Sequence, residues 1–387
     1  MADRTEYGWG EPAEPAPRWR ALLDRALLDR ALLGRTGEHR QASAPPQRGS
    51  VGVEPGGGYR APVSPPARPV SSPGYGPPPP YAEPVSGPGY GGVAAGYAPG
   101  PVSPAYPTQI EWRQSRQDDA VQRAIATLRR DLGGPKVLAF ANPKGGVHKT
   151  TATVLAAATI GSVRGRGVLA WDDNELRGTL GLRAGSARHA RTIRHLIADL
   201  AEVEAASGYE LRERLDDYLR HAADGTYDVL AGEENPRFAQ RLDQFTVRRV
   251  LELLRRTHDV ICVDTGNNVE SANWQTVLQA CDQLVVTTVP REDAAFTADW
   301  MLDLLYETGL GKLASEAVTL LSCATPGPQP LLEELTQHFA SRTRAVVVVP
   351  YDPALESGSN IEHAKLQPAT KQAWLFASAV ALDPSTR

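Results

Sequence analysis

The residues with the clearest capacity for chemistry in this 387-residue sequence lie in one short stretch, Pro143-Lys-Gly-Gly-Val-His-Lys-Thr-Thr151. Glycines let successive backbone N–H groups converge on a phosphate, and the positive end of a following helix strengthens such a site. In phosphate-binding loops a lysine then neutralises the outer phosphates and a hydroxyl group binds Mg²⁺. Lys149 and Thr150 stand in the order and place for those two roles.

The stretch departs from the strict G-x-x-x-x-G-K-[ST] pattern at two glycine positions, which are Pro143 and His148 here. The lysines nevertheless favour a phosphate site. Lys144 and Lys149 are two of only six lysines in a chain that has 35 arginines. A planar guanidinium does not replace a compact ammonium between phosphate oxygens. The two lysines therefore favour phosphate binding over an incidental glycine-rich turn.

Six short apolar runs, separated by segments of helical length, predict the fold class. The runs are Val137–Ala141, Val168–Trp171, Val260–Val263, Leu284–Thr287, Ala317–Leu321 and Ala345–Val349. Runs of this kind are typical of strands buried on both faces. Their alternation with helices predicts an α/β fold with a mostly parallel, doubly wound sheet. Ligands of such sheets bind beyond the carboxyl ends of the strands, where the phosphate stretch follows the first run.

Composition divides the chain into an arm and one large domain. Of the 32 prolines, 21 precede Ile110, which predicts a disordered Pro/Gly/Ala-rich arm over residues 1–109. A five-residue repeat at Ala21–Arg35 is predicted to form a short helix, and helical spacing predicts an amphipathic lead-in helix over residues 110–133. Residues 134–387 then form one domain. The arm either docks on an aromatic-lined groove of a protein partner or serves as a spacer.

Charge and cysteine content narrow the function classes. The net charge of −4, with neither half strongly basic, argues against a polybasic nucleic-acid binder. Three cysteines without paired spacing exclude a disulfide scaffold. The sequence shows no secretory leader pattern and no apolar run of about 20 residues. We therefore expect a cytoplasmic protein without a transmembrane segment.

Lys144-Gly-Gly-Val-His-Lys-Thr-Thr151 resembles the deviant Walker A motif of the ParA/MinD family of P-loop ATPases. Four further ordered matches extend the resemblance over about residues 135–384. They are Asp172-Asp-Asn-Glu at the switch I position, Val260–Gly266 at the Walker B strand, Asp282–Pro290 at the next strand, and Val349–Asp352 near the adenine. The proline-rich arm before such a domain also resembles the architecture of actinobacterial proteins linked to type VII secretion.

The resemblance implies an ATP and Mg²⁺ site and an ATP-dependent homodimer. Lys144 would be the signature lysine that reaches a partner subunit's nucleotide, Thr150 and Asp264 would hold Mg²⁺, and Asp172 would position the metal or the attacking water. Lys144, Lys149 and Asp172 are the implied catalytic residues. The implied nucleotide-binding residues are Gly145, Gly146, Val147, His148, Lys149, Thr150, Thr151, Pro350, Tyr351 and Asp352.

Three departures from the family pattern bear on activity. His148 replaces a glycine, which costs about 1–2 kcal/mol if the position needs a positive φ. Asn174 stands where the family commonly has a second acid, and Asp173 could serve only if the register shifts by one. If Asn174 replaces an acid that orients water, we expect slow hydrolysis. Asn267 and Asn268 follow the Walker B strand in place of prolines and either contact the water near the γ-phosphate or cap the next helix near Ser271.

Two functions remain open from the sequence. One is an ATP-dependent dimerising ATPase switch acting in partitioning, cellular positioning or secretion. The other is a degenerate nucleotide-binding scaffold that hydrolyses little ATP and recruits partners through its arm. A basic segment adds non-specific DNA as a candidate partner, although a solvated helix face explains the same residues. Its arginines are Arg183, Arg188, Arg191 and Arg194.

Overall fold

The computed structural model describes residues 109–174, 178–186, 191–234 and 243–383, with side chains from residue 116 onward. The predicted disordered arm and its five-residue repeat lie outside the described residues, as does Arg188. The lead-in helix and most of the predicted ATPase domain lie within them.

Eight strands form a single sheet in the order β3-β4-β2-β5-β1-β6-β7-β8. Their bounds are β1 (Lys136–Ala141), β2 (Val168–Asp173), β3 (Arg220–His221), β4 (Asp228–Leu230), β5 (Val260–Thr265), β6 (Gln283–Thr288), β7 (Val318–Ser322) and β8 (Ala345–Val349). Neighbouring strands are parallel except for the antiparallel pair of β3 and β4. The predicted fold class is confirmed. The short strands β3 and β4 were missed because two or three residues give no measurable apolar run.

Thirteen α-helices are present in the described ranges. They are α1 (Gln109–Arg129), α2 (Lys149–Arg164), α3 (Leu180–Arg183), α4 (Ile193–Ala198), α5 (Leu200–Ala205), α6 (Gly208–Asp216), α7 (Gln244–Arg255), α8 (Ala272–Ala280), α9 (Glu292–Glu307), α10 (Gly311–Ser315), α11 (Leu332–Arg342), α12 (Pro353–Glu356) and α13 (Pro368–Leu382). Within these ranges, no helix has the length and apolar character needed to cross a bilayer.

Helices cover both faces of the sheet because successive side chains of a strand point to opposite faces. On β1, Val137 and Ala139 join a cluster with side chains of α7, α8, α9 and α11. Leu138 and Phe140 join a second cluster with side chains of α1, α2 and α13. The central strands are thus buried on both sides, and the loops at their carboxyl ends rest on a rigid base.

The lead-in helix α1 belongs to the second layer. Its Ala124 and Leu128 are buried against the domain, and Gln117 donates from Nε2 to Oε1 of Gln372 on α13 at 3.0 Å. The helix ends at Arg129, and Gly133 and Gly134 follow in positive-φ conformations before β1 begins. The apolar spacing that predicted this helix therefore marks the face that packs on the α/β domain.

Candidate functional site

The loop between β1 and α2 lies at the centre of the sheet's carboxyl edge. β1 pairs with β5 on one side and β6 on the other, and β5 pairs with β2. The chain passes from β1 toward the β2 side and later returns across β1 to reach β6. This reversal of direction is the topological switch point at which open α/β sheets bind ligands.

The side chain of Asn142 fixes the start of the loop. It is fully buried, its Nδ2 donates to the carbonyl of Thr287 at 2.8 Å, and its Oδ1 accepts from the backbone N–H of Lys144 at 2.9 Å. Gly146 follows with φ +74° and would not tolerate another side chain without strain. The backbone is therefore turned before the first residue of α2.

His148 adopts the left-handed conformation, with φ 66° and ψ 24°, at the N-cap of α2. Among the described residues it is the only non-glycine with a positive φ. Burial, followed by the charge of Arg183, lowers the pKa of its imidazole. The backbone at His148 thus has the left-handed conformation that a glycine adopts without strain, but the residue carries an imidazole ring.

We expect His148→Gly to raise the free energy of unfolding by about 0.5–1 kcal/mol, because the left-handed penalty of ~1–2 kcal/mol exceeds the added entropy of the unfolded glycine chain. Gly165→Ala at the other end of α2, where φ is 84°, is the matched control and should destabilise. Chemical denaturation measures both. A His148→Gly variant with a lower free energy of unfolding than wild type would contradict the claim that the backbone at His148 is strained.

Lys149 is buried and points back into the loop. Its ammonium donates to the carbonyls of Asn142 at 2.9 Å and Lys144 at 3.0 Å, and also to Oδ1 of Asn267. Burial lowers the pKa of this ammonium to about 8, although the nearby Asp264 opposes that shift. The cation is therefore held by neutral oxygens that a phosphate can replace.

Thr150 and Asp264 meet at the mouth of the loop. The hydroxyl of Thr150 donates to Oδ2 of Asp264 at 2.6 Å. The other carboxylate oxygen, Oδ1, is buried and has no hydrogen-bond partner. Burial and the nearby Asp172 raise the pKa of Asp264 to about 7. A hydroxyl beside a buried carboxylate with a vacant oxygen is a donor set that fits Mg²⁺, which prefers oxygen ligands.

Asp172 lies beside Asp264 across the β2–β5 pair. Its Oδ2 accepts from the backbone N–H of Leu180 at 2.9 Å and its Oδ1 from that of Asn174 at 3.2 Å. A Cβ on Gly178 would lie 2.8 Å from Oδ2, so the loop packs directly on the carboxylate. Burial raises the pKa of Asp172 to about 6. In this structure Asp172 anchors the loop after β2, while Asn174 is half-buried.

Lys144 lies at the rim of the loop and is 39% exposed. Its ammonium pairs with Oδ2 of Asp293 at 3.1 Å. Arg291 holds the same carboxylate through two hydrogen bonds, and mainly for that reason the pKa of Asp293 falls to about 2. Asp293 was not among the site residues predicted from the sequence. Its position three residues after Pro290, where the match to the β6 strand ends, is the signal that could have pointed to it.

The two asparagines after β5 have separate roles. Asn267 accepts from the Lys149 ammonium, and its Nδ2 lies 3.7 Å from where a Cβ on Gly145 would stand. Asn268 accepts instead from the backbone N–H of Glu270 at 3.1 Å, and Ser271 caps α8. Asn267 is therefore a residue of the phosphate loop site. Its contact with Lys149 was not among the two alternatives that the sequence left open.

A cavity of about 130 Å³ joins the phosphate loop to the segment predicted near the adenine. His148 and Thr151 line one side, and Pro350, Tyr351 and Asp352 line the other. The carboxylate of Asp352 is committed, because it accepts from the backbone N–H groups of Ala354 at 3.0 Å and Gln367 at 2.8 Å. The structure thus places both predicted segments at one cavity, with Asp352 shaping its wall.

The described arginines of the basic segment do not share one free surface. Arg191 pairs with Asp217 at 3.8 Å and lies over the ring of Tyr218. Arg194 pairs with Glu233 at 3.2 Å. Arg183 turns the other way and donates to Oγ1 of Thr151 at 3.0 Å. DNA binding by this segment stays a prediction.

Comparison with known proteins agrees with this geometry. A family model described as an AAA domain matches residues 135–303. The ESX-1 secretion-associated protein EspI of Mycobacterium tuberculosis is 27% identical over 267 residues, which are 68% of this chain and 38% of that relative. The chain therefore spans well under half the length of the curated relatives it matches.

Two solved structures share the fold. The cell division ATPase MinD of Pyrococcus furiosus is 19% identical with a TM-score of 0.50 and covers 63% of this chain and 98% of its own. A ParA family ATPase of Chlorobium tepidum TLS is 17% identical with a TM-score of 0.52 and covers the same shares.

Proposed function

We propose a function on the premise that this chain belongs to the ParA/MinD-like family of P-loop ATPases with an EspI-like association. In this proposal the chain binds ATP with Mg²⁺ and switches between a monomer and an ATP-bound dimer. The observation that carries the proposal is the Thr150–Asp264 pair at the mouth of the loop, with one carboxylate oxygen buried and unpartnered. The buried Lys149 ammonium beside that pair supplies the opposite charge that a triphosphate needs.

The role of each residue in the site follows from the hydrogen bonds that its side chain already makes in this structure. When bound, Mg²⁺ would supply positive charge that offsets the charge of the phosphates. Thr150 and Asp264 would hold the ion, the N–H groups of the loop and the N-terminus of α2 would bind the phosphates, and Lys149 would exchange its carbonyl partners for phosphate oxygens. Pro350 and Tyr351 would flank the base at the cavity wall. The side chains of Thr150, Asp264 and Lys149 already lie at the loop in this structure.

The exposure of Lys144 supports the dimer. Its one ion-pair partner among the described residues, Asp293, is itself about half exposed, and exposed ion pairs contribute only ~0–1 kcal/mol. Breaking the Lys144–Asp293 ion pair therefore costs little free energy when a phosphate bound to a second subunit comes within reach of Lys144. A buried pair would have prevented that exchange.

We expect the full-length chain to elute as a dimer with ATP and Mg²⁺ and as a monomer with ADP in size-exclusion chromatography. Lys144→Ala should still bind nucleotide but remain a monomer, whereas Lys312→Ala, at a lysine 85% exposed, should behave as wild type. Wild type that stays monomeric with bound ATP would exclude the switch. Wild type that binds no nucleotide would exclude the whole proposal.

A scaffold with little hydrolysis is the second candidate, and one observation favours it. Each oxygen of Asp172 already accepts a loop N–H group, so this carboxylate has fewer acceptor sites left for a water, and Asn174 brings no second carboxylate. ATP-dependent dimerisation without measurable phosphate release would support the scaffold. Steady turnover would support the ATPase.

Among the three processes left open by the sequence, we favour secretion, because the curated relative is named as secretion-associated. Deleting the gene in its host and measuring secreted proteins alongside plasmid retention separates secretion from partitioning. Loss of retention with unchanged secretion would reject this choice.

A further inference from the structure

Arg183 makes an unusual contact for a residue that the sequence placed among DNA-binding candidates. It is the last residue of α3, and its Nη2 donates to Oγ1 of Thr151 in the first turn of α2 at 3.0 Å. Its Nη1 donates to the carbonyl of Ser359. The guanidinium therefore lies between the phosphate loop and the segment that follows α12.

No carboxylate among the described residues forms an ion pair with this guanidinium. The other described arginines of the segment differ, since Arg191 pairs with Asp217 and Arg194 pairs with Glu233. Arg183 is half-buried, and its two hydrogen-bond acceptors are neutral oxygens. A partly desolvated cation without an anion is costly, so this position is suited to receive a negative ligand.

The backbone around Arg183 holds the side chain in place. Asp172 accepts from the N–H of Leu180 at the start of α3, and the carbonyl of Arg183 accepts from the N–H of Ile361 at 2.7 Å. A Cβ on Gly181 would lie 2.9 Å from Nη1 of Arg220, so the helix packs closely on its other side as well. Residues fixed in this way are preorganised for binding.

We propose that Arg183 binds the phosphate chain of the nucleotide in the same subunit, as a residue of the loop site and not of a DNA surface. The inference rests on the proposed function. A guanidinium offers two parallel N–H donors that match a pair of phosphate oxygens. Thr151, which now accepts one of those donors, is itself in the first turn of the helix that follows the loop. The ligand class is a nucleoside diphosphate or triphosphate.

The test is a calorimetric titration of the full-length chain with ADP and Mg²⁺. We expect Arg183→Ala to raise the Kd about 10- to 100-fold, the range for losing hydrogen bonds to a charged group. Arg183→Lys should recover only part of the affinity, because it keeps the charge without the fork. Arg191→Ala is the matched control from the same basic segment and should bind within twofold of wild type.

Melting curves without nucleotide identify variants that fail to fold, and Arg183→Gln, which keeps an N–H donor, replaces the alanine variant in that case. An Arg183→Ala or Arg183→Gln variant that binds ADP as tightly as wild type would overturn the inference and leave nucleotide binding intact. Loss of duplex DNA binding by these variants with unchanged ADP affinity would overturn it in favour of a DNA surface. Wild type that binds no ADP would overturn the proposed function and this inference together.

Discussion

Lys149→Ala is expected to abolish measurable nucleotide binding by the full-length chain. The ammonium lies in the loop, fully supported by two backbone carbonyls and Asn267, and no other cation of the loop is buried. Two or more charge-assisted hydrogen bonds to phosphate, each ~1.5–3 kcal/mol, correspond to a loss of roughly 100-fold or more in affinity. Titration with ADP and with a slowly hydrolysed ATP analogue measures the loss.

Two further variants separate charge from geometry in this experiment. Lys149→Arg keeps the charge, but its planar guanidinium does not replace the compact, buried ammonium, so we expect this variant to bind no nucleotide either. Lys312→Ala removes an exposed lysine and should bind as wild type. Binding by Lys149→Ala within threefold of wild type would show that the phosphates do not meet this ammonium.

Asp264→Asn is expected to stabilise the nucleotide-free protein while removing its response to Mg²⁺. The Asp264 carboxylate is buried beside Asp172, with one oxygen unpartnered, and its pKa rises from 3.8 to about 7. A pKa raised on folding means that the folded state resists ionisation of this group. The neutral amide avoids that cost and still offers an oxygen to the Thr150 hydroxyl.

The size of the effect depends on pH in a defined direction. Below pH 3.8 the carboxyl is neutral in both states and imposes no cost on folding. Between pH 3.8 and about 7 only the unfolded state ionises, and the cost grows by ~1.4 kcal/mol per pH unit. Above pH 7 the cost is complete. The stabilisation by Asp264→Asn should therefore approach up to about 4 kcal/mol at pH 8 and become small near pH 4.

Urea denaturation of nucleotide-free protein at both pH values measures this effect. Asp217→Asn, at a side chain 71% exposed, is the control and should change stability by less than about 0.5 kcal/mol. Adding Mg²⁺ to the protein with ADP should raise the stability of wild type further but leave that of Asp264→Asn unchanged. A variant less stable than wild type at pH 8 would mean that the carboxylate is already compensated in the apo protein.

The sequence was sufficient for the parts of the site that are contiguous in the chain. A buried strand, a glycine-containing loop and a helix follow one another from Lys136 to Arg164, as the apolar run, the glycines and the two lysines of this stretch predicted. The resemblance implied that Thr150 and Asp264 serve one site, and in the structure the Thr150 hydroxyl donates to the Asp264 carboxylate. The glycine position in the motif left open whether His148 needs a positive φ, and the structure shows that it has one.

The remaining site contacts required the tertiary structure. Asn267 reaches Lys149 across 118 residues, and Arg183 reaches Thr151 across 32. Lys144 meets Asp293 only because β1 and β6 are neighbours in the sheet. The sequence by itself determined the strands, the turns and the residue types at each strand end, because these depend on residues that are near one another in the chain. Which distant loops meet at the carboxyl edge is decided by strand order and packing, and these placed Arg183 at the phosphate loop and not in a row of surface arginines.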